Sequence, residues 1–319
     1  MEVVKGLKKE WKHPIATNLA RQYNYEKDLV EIIETISEDL LNQLRAESPK
    51  IFPTNLVYVP VEQIISSLQI DFVKTSGDDF AGQVQNQGSN LQISASYSSK
   101  TNYFRRRFSI AHELGHIILR KLVSPLTNNE VIDAYKFHYE EEALCNLFAA
   151  SLLTPKQSII QYLQNSDEIT SSIVDRIAGD FRVNRESVLR RIAQLTNSIL
   201  LLWKKTNNPL TKGSPRAERV IRIYPNSSQL SSFYIPLYCT LNDSRFSPNL
   251  IQESLSEGIS KSGIIRISQL GSLPEGHYKI HNILFKKSSK NLPAIREENK
   301  NPYDMATLIE LKDLADVRF

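Results

Sequence analysis

The stretch His112-Glu113-Leu114-Gly115-His116 constrains this chain more than any other. Apolar or small residues recur around it at intervals of three or four, namely Phe104, Phe108, Ala111, Gly115, Ile118 and Leu122. This spacing predicts a helix. On a helix, residues four positions apart lie on one face, with Cβ atoms about 5–6 Å apart. Two imidazoles in that arrangement can bind one metal ion, and Glu113 can reach a water on that metal.

The alternative is an amphipathic helix that carries two histidines on its polar side. A third ligand would favour the metal site, and the sequence EEEALCNLFAASLLTP at residues 140–155 offers one. Glu142, Asn146 and Ala149 share one face of this second helix, which Pro155 ends. Glu142 lies 26 residues after His116, which leaves room for a loop and a returning helix.

Two histidines, one glutamate and a water make a common catalytic zinc site. Glu140 and Glu141 compete with Glu142 as the third ligand, because charge alone does not separate three consecutive acids. Cys145 is a further candidate ligand, but it is better explained as a small hydrophobe between two helices. Small residues would allow the two helices to approach closely, namely Ala143, Cys145, Ala149 and Ala150.

The segment between these helices is polar and turn-rich, and then aromatic. Tyr135, His138 and Tyr139 are candidate hydrogen-bond donors to an oxyanion that develops near the metal. The alternative for each of them is that the side chain only packs against the fold.

Composition bounds the class of protein. The chain has 319 residues, a length that suggests two domains. Its net charge of +4 permits a nucleic-acid partner but does not require one. Two cysteines, Cys145 and Cys239, without a Cys-x-x-Cys motif fit a reducing compartment. The first residues lack the apolar run of a signal peptide, and no stretch approaches 18 apolar residues. We therefore expect a cytoplasmic protein without a membrane partner.

The residues before the motif predict a helix followed by a small sheet. Within residues 1–50, one long amphipathic helix is predicted from an apolar period of 3.6, formed by Leu29, Ile32, Ile33, Ile36, Leu40, Leu41 and Leu44. A second helix is predicted to begin at Pro60, and short strands follow it. A strand at a sheet edge can hold a substrate backbone by strand addition, and we expect residues 91–96 to be that edge.

The two helical segments resemble the ImmA/IrrE family of metallopeptidases. The shared residues are Arg-x-Arg-Phe-x-x-Ala-His-Glu-Leu-Gly-His at 105–116 and Glu-x-x-Cys-Asn-x-Phe-Ala-Ala-x-Leu-Leu-x-Pro at 142–155. The resemblance extends over residues 50–196. The family usually has Ala at the position of Cys145 and often Met at that of Thr154. It commonly has a second Glu at the position of Leu144, and its absence here favours Glu142 as the ligand.

The resemblance implies a zinc site and a reaction. His112, His116 and Glu142 would bind one zinc ion, and Glu113 would act as the general base. Asn146 stands where related enzymes keep a residue that orients a ligand histidine. The implied activity is hydrolysis of a peptide bond in a specific intracellular regulatory protein, of the transcriptional repressor or antitoxin class.

Residues 171–196 predict two helices around a tight turn, with Asn184 at the N-cap of the second helix. The pattern resembles a helix-turn-helix. Four arginines are candidate contacts to DNA phosphates, namely Arg182, Arg185, Arg190 and Arg191. The alternative is a helical hairpin that packs on the protease unit and carries these arginines on a solvated face.

Residues 199–319 predict an accessory α+β domain with mostly antiparallel strands and a helix at 250–258. His277 and His281 are four apart, but on a strand they would lie ~13 Å from each other, too far to share a metal. Some longer members of the resembled family carry a sensor-like C-terminal domain. By that analogy, a small molecule or a protein would bind here.

The sequence as a whole predicts an α+β fold. We expect an N-terminal helical segment at 1–50, a mainly helical zincin-like metallopeptidase core with a small sheet at 51–165, helix-turn-helix-like helices at 166–198 and the accessory domain at 199–319. Two functions remain beside the endopeptidase. One is a DNA-binding regulator with a non-catalytic metal site, and the other is a protein that sequesters a partner without cutting it.

Overall fold

The computed structural model of the chain describes residues 4–6, 9–53, 57–75, 82–87, 90–96, 103–123, 127–164, 168–196, 198–205, 218–224, 260–267, 276–285 and 305–310. The chain forms two compact units. The first comprises Met1–Ser158 and Asp180–Val183, and the second comprises Ile159–Gly179 and Asn184–Phe319. The four-segment division made from the sequence stays a prediction.

The first unit contains helices around a small sheet. Its elements are β1 (Val4–Gly6), β2 (Lys9–Trp11), α1 (Pro14–Gln22), α2 (Leu29–Glu47), α3 (Val61–Ser67), β3 (Asp71–Thr75), β4 (Gly82–Gln87), β5 (Asn90–Ser96), α4 (Tyr103–Lys121), α5 (Asn128–Lys136) and α6 (His138–Leu153). Helices α4 and α6 pack against each other, and α2 packs on α6. Helix α6 is therefore the central element of this unit.

The N-terminal region is a short hairpin and two helices, so the one long helix predicted within residues 1–50 is α2, and the hairpin and α1 before it were not predicted. After α1, Asn24 and Tyr25 take left-handed backbone angles, with φ of 52° and 59°, which turn the chain. Asp28 then caps α2 by accepting a hydrogen bond from the Glu31 N–H. The periodic part of the prediction is confirmed, because all seven apolar residues that were named are buried in α2.

The small sheet has the strand order β3-β5-β4. Strand β5 pairs parallel with β3 and antiparallel with β4, so it is the central strand. The expectation that residues 91–96 form the sheet edge is therefore wrong. Proximity in sequence to α4 does not decide the strand order, because β3 pairs with β5 along the edge that β4 does not cover.

The N-terminal half of α4 is anchored by a buried arginine. The Arg107 guanidinium donates hydrogen bonds to the carbonyl oxygens of Val59, Phe181 and Arg182. Its side chain also lies over the rings of Tyr58 and Tyr103. The buried face of α4 therefore differs from the predicted one. It includes Arg107, whereas Leu122 lies beyond the helix and is 41% exposed.

The second unit contains three helices and a larger sheet among its described residues. The elements are α7 (Lys156–Gln164, which begins in the first unit), α8 (Ser171–Phe181, whose last residues belong to the first unit), α9 (Arg185–Leu195), β6 (Ser198–Lys205), β7 (Glu218–Tyr224), β8 (Lys261–Ile267), β9 (Gly276–Leu284) and β10 (Met305–Glu310). The strand order is β7-β6-β10-β9-β8, and every pair is antiparallel. The predicted α+β class is confirmed. The helix predicted at 250–258 lies outside the described residues.

Strand β9 carries His281 in a buried polar chain. The Ser262 hydroxyl lies 2.7 Å from Nδ1 of His281, and Nε2 of His281 lies 2.7 Å from the Glu310 carboxylate. Lys279 contacts the same carboxylate at 3.2 Å. The hydrogen bond from His281, assisted by Lys279 and opposed by burial, lowers the pKa of Glu310.

Within the described part of the chain, no helix has both the length and the apolar surface of a membrane span.

The contact between α4 and α6 gives a stability prediction. A Cβ at Gly115 would lie 3.2 Å from Phe148 Cδ1 and 3.3 Å from Cys145 Cα, so Gly115→Val overpacks the interface. We expect a loss of about 1–3 kcal/mol in the free energy of unfolding, measured by urea titration. Gly179→Ala is the control, because a Cβ there meets no atom within 4 Å. It should stabilise the protein by about 1 kcal/mol. Equal effects of the two changes would contradict the tight contact.

The lowered pKa of Glu310 predicts a pH dependence. A depressed carboxyl pKa stabilises the fold above the unfolded value of about 4.3 and loses that stabilisation as the pH falls through the folded value. Glu310→Gln should therefore lower the urea midpoint at pH 7 and have less effect at pH 3. Glu26→Gln, at an exposed glutamate in the turn before α2, is the control. A Glu310→Gln effect of the same size at both pH values would count against this coupling.

Candidate metal centre

Two histidines on α4 face one glutamate on α6. The Nε2 atoms of His112 and His116 lie 3.2 Å apart. One carboxylate oxygen of Glu142 lies 3.1 Å from His112 Nε2, and the other lies 3.3 Å from His116 Nε2. His116 is buried, whereas His112 and Glu142 are half-buried. Three potential ligand atoms therefore converge at a point that solvent can approach.

The other nitrogen of each ring is occupied. His112 Nδ1 lies 3.1 Å from the amide oxygen of Asn146, and His116 Nδ1 lies 2.8 Å from a carboxylate oxygen of Glu141. Because both partners are acceptors, each Nδ1 carries the proton. Each Nε2 of a neutral ring then presents a lone pair to the other at 3.2 Å. Two lone pairs and a carboxylate repel one another unless a cation lies between them.

The donor set fits zinc. Zinc binds imidazole nitrogen and carboxylate oxygen at about 2.0–2.2 Å, so two ligands of a tetrahedral site lie ~3.3 Å apart. The two imidazole nitrogens here lie 3.2 Å apart, and they lie 3.1 and 3.3 Å from the two different oxygens of the Glu142 carboxylate. An acceptor also lies at the Nδ1 atom of each ring, as is usual for metal-binding histidines, and such an acceptor fixes the tautomer of the ring. His112, His116 and Glu142 could therefore hold a metal ion.

The three consecutive acids at the start of α6 have different partners. Glu140 accepts hydrogen bonds from the backbone N–H groups of Lys12 and His13, at 2.7 and 2.8 Å. Glu141 accepts from His116 Nδ1 and from Arg120 Nε, the latter at 2.7 Å. Of the three, Glu142 is the one that contacts the Nε2 atoms of both histidines.

Glu141 is an ionised acceptor in a buried position. Burial alone would raise its pKa, but contacts with His116, His13 and Arg120, in that order of size, hold the pKa of Glu141 far below its usual range. Its carboxylate therefore orients His116 and favours a proton on Nδ1. The lone pair of His116 Nε2 is thereby left for a cation.

Cys145 lies close to this network. His116, Glu141 and Cys145 also bring potential ligand atoms together, all of them buried. Burial raises the pKa of the Cys145 thiol well above its usual value, so the thiol stays protonated. The neighbouring carboxylate of Glu141 is already paired with Arg120. These partners favour Cys145 as a packing residue between α4 and α6.

Glu113 and the three candidate oxyanion donors have different settings. Glu113 follows His112 on α4 and is half-buried. His138 Nε2 lies 3.2 Å from the Glu142 carboxylate, one turn before it on α6. Tyr139 is 59% exposed and its hydroxyl lies 3.4 Å from Glu140, whereas Tyr135 is 89% exposed. His138 is thus the candidate donor that contacts a candidate metal ligand.

The four arginines proposed as phosphate contacts already have protein partners. Arg185 pairs with Asp175, and Arg190 lies 3.0 Å from Glu186. Arg182, with a φ of 53°, lies over the Tyr58 ring at 3.9 Å. Arg191 is 2% exposed and donates to the Gln194 side chain.

The burial of Arg191 argues against a contact between this residue and phosphate. For Arg182, Arg185 and Arg190 the phosphate contact stays a prediction. The turn itself was read correctly, because the Asn184 side chain caps α9 by accepting from the Ser187 N–H. The sequence therefore located the two helices and the cap, but it did not show that one arginine of α9 points into the fold.

His13 and Arg120 complete the surroundings of the centre and were missed from the sequence. His13 precedes the histidine motif by about a hundred residues, and no spacing rule links the two. Arg120 lies one turn after His116 on α4, so the sequence predicts that it lies near the motif. Its pairing with Glu141 could not be predicted, because that pairing depends on how α4 and α6 pack.

Comparisons with known proteins match the segment that contains the candidate metal ligands. Residues 87–193 match the Peptidase_M78 family, described as the IrrE N-terminal-like domain. A solved structure named as a Mycobacterium tuberculosis transcriptional regulator matches 92% of this chain and 78% of that chain, with 12% identity and a TM-score of 0.44. That likeness is too low to carry an argument. No curated protein matches the sequence.

The contact between the Asn146 amide oxygen and His112 Nδ1 gives a prediction for metal affinity. Asn146→Ala removes the acceptor of His112 Nδ1, so the ring can rotate or change tautomer. We expect zinc affinity to fall by roughly 10–100-fold, measured by competition with a chelator. Asn42→Ala is the control, since Asn42 is an exposed asparagine on α2. An Asn146→Ala protein that binds zinc as tightly as the wild type would refute the orienting role.

Proposed function

Because residues 87–193 carry an IrrE N-terminal-like domain of the Peptidase_M78 family, consistent with membership of the ImmA/IrrE family, we propose that this chain is a zinc-dependent endopeptidase. The observation that carries the proposal is the convergence of His112 Nε2, His116 Nε2 and the Glu142 carboxylate at separations of 3.1–3.3 Å. One zinc ion per chain would bind there.

Zinc at this site would polarise a peptide carbonyl and lower the pKa of a bound water toward neutrality. Glu113, beside the ligands on α4, accepts the proton from the attacking water and passes it to the leaving amine. His138 approaches the Glu142 carboxylate from the solvent side and is the candidate donor to the oxyanion. Asn146 and Glu141 hold the two imidazole rings in the orientation that binding needs.

The ligand count supports catalysis over a structural metal site. Among the described residues, the group formed by His112, His116 and Glu142 offers three ligands. A tetrahedral zinc ion bound by three protein ligands keeps one position for water, whereas a structural site usually closes it. Glu113, next to the ligands, has a role as a base in a catalytic site and none in a structural one.

We further propose a substrate class. The family resemblance supports a cytoplasmic protease that cleaves one regulatory protein, of the repressor or antitoxin class. The second unit would then bind the small molecule or protein that controls cleavage. The DNA-binding alternative receives less support, because three of its four candidate arginines contact acids or lie buried.

The proposed general base gives a direct test. Purified protein with zinc is incubated with each protein of the repressor or antitoxin class that the neighbouring genes prove to encode, and mass spectrometry follows the partner. The wild type should produce two fragments, and a chelator should prevent the cut. Glu113→Gln should lower the rate by at least about 100-fold while zinc content is unchanged, because only proton transfer is removed.

The control variant is Glu38→Gln, at a half-buried glutamate of α2. It should cleave like the wild type. A Glu113→Gln protein that cleaves at the wild-type rate would refute the role of the base. An intact partner held in a stable complex by the wild type would favour the sequestering protein instead.

A further inference from the structure

The N-terminal segment reaches the metal centre through two adjacent carboxylates of α6. Glu140 accepts the backbone N–H groups of Lys12 and His13 at 2.7 and 2.8 Å, which fixes this part of the chain beside α6. The next residue, Glu141, has one carboxylate oxygen on His116 and Arg120. Its other oxygen lies 3.4 Å from His13 Nε2.

The proton of the His13 ring can be placed from its contacts. The Ile15 N–H donates to His13 Nδ1 at 3.2 Å, as the N-cap contact of α1. Nδ1 therefore bears no proton, and the neutral ring carries its proton on Nε2. That atom is buried, and its contact with the Glu141 carboxylate at 3.4 Å falls short of hydrogen-bond geometry. The side chain of His13 is 1% exposed, so water has little access to Nε2.

We propose that His13 is a positioning residue for the metal centre. Its Nε2–H faces the second oxygen of Glu141 at 3.4 Å and attracts it, so that the first oxygen stays on His116 Nδ1. A buried carboxylate needs partners on both oxygens, because an unpaired buried charge is costly. Without His13, Glu141 turns or hydrates, and His116 loses its fixed orientation. This inference rests on the zinc site of the proposed function.

The inference extends the centre beyond the recognisable domain. His13 lies more than seventy residues before the segment that matches the family, residues 87–193. An element outside that segment thus completes the contacts of a ligand histidine. The protease core of this protein would then need its N-terminal segment for full metal affinity, although the three ligands all lie inside the matched domain.

The variant His13→Asn separates two roles of the side chain. Asparagine is a favoured N-cap residue, so the start of α1 is retained. Its shorter side chain does not reach Glu141. Loss of an outer-shell partner costs roughly 10–100-fold in metal affinity, and His13 acts one contact further out, so we expect zinc binding to weaken by about threefold to tenfold.

Zinc affinity of the full-length protein is measured by competition with a chelator, and cobalt is substituted for zinc to record its visible spectrum. A changed spectrum is expected for His13→Asn, because the spectrum senses the orientation of His116. Asn18→Ala is the matched control, because Asn18 also contacts the start of α1, at Pro14, but not Glu141. It should bind both metals like the wild type.

A double-mutant cycle with Glu141→Gln tests the path. If His13 acts through Glu141, the double variant should bind zinc no more weakly than Glu141→Gln alone. Additive losses, or wild-type affinity and spectrum in folded His13→Asn, would overturn the inference. A wild type that binds no zinc would remove the proposed function as well. A wild type that binds zinc but cuts no partner leaves the inference testable, because no readout here depends on cleavage.

Discussion

The metal centre depends on the short distance between α4 and α6. The two histidines lie on one helix and the glutamate on the other, so the helix separation sets the distance from Glu142 to each histidine. Gly115 lies within the histidine motif itself, where a Cβ would be 3.2 Å from Phe148 and 3.3 Å from Cys145. A larger residue would move the carboxylate of Glu142 away from the imidazoles. The apolar packing of these helices and the metal chemistry are therefore one constraint.

The acidic side chains buried near this interface are tolerated because each accepts hydrogen bonds from neighbouring groups. Glu140 is 1% exposed and accepts two backbone N–H groups, while Glu141 accepts from His116 and Arg120. Burying a charge without such contacts would cost several kcal/mol. The run of three glutamates thus has three separate tasks. Glu140 holds the N-terminal segment, Glu141 orients a ring and Glu142 faces the proposed ion.

Local patterns in the sequence predicted several of the helices and the spacing of the two candidate ligand histidines. The four-residue spacing of His112 and His116 and the Asn184 cap depend on one helix each, and the structure contains both. Contacts between segments far apart in the sequence could not be predicted. The central place of β5, the burial of Arg107 and the approach of His13 to Glu141 all depend on which distant segments pack together. Helical periodicity treats an arginine as solvent-facing and cannot anticipate three carbonyl partners.

The three carbonyl groups that bind Arg107 restrict where the chain can be cut. Val59 precedes α4, whereas Phe181 ends α8 and Arg182 follows it, so the anchor is assembled from segments 48 to 75 residues away. A fragment that stops near residue 165 would keep every candidate zinc ligand and leave a buried cation with one of its three carbonyl partners. During synthesis, the helix that bears both histidines likewise reaches its final anchoring only after residue 182 has left the ribosome.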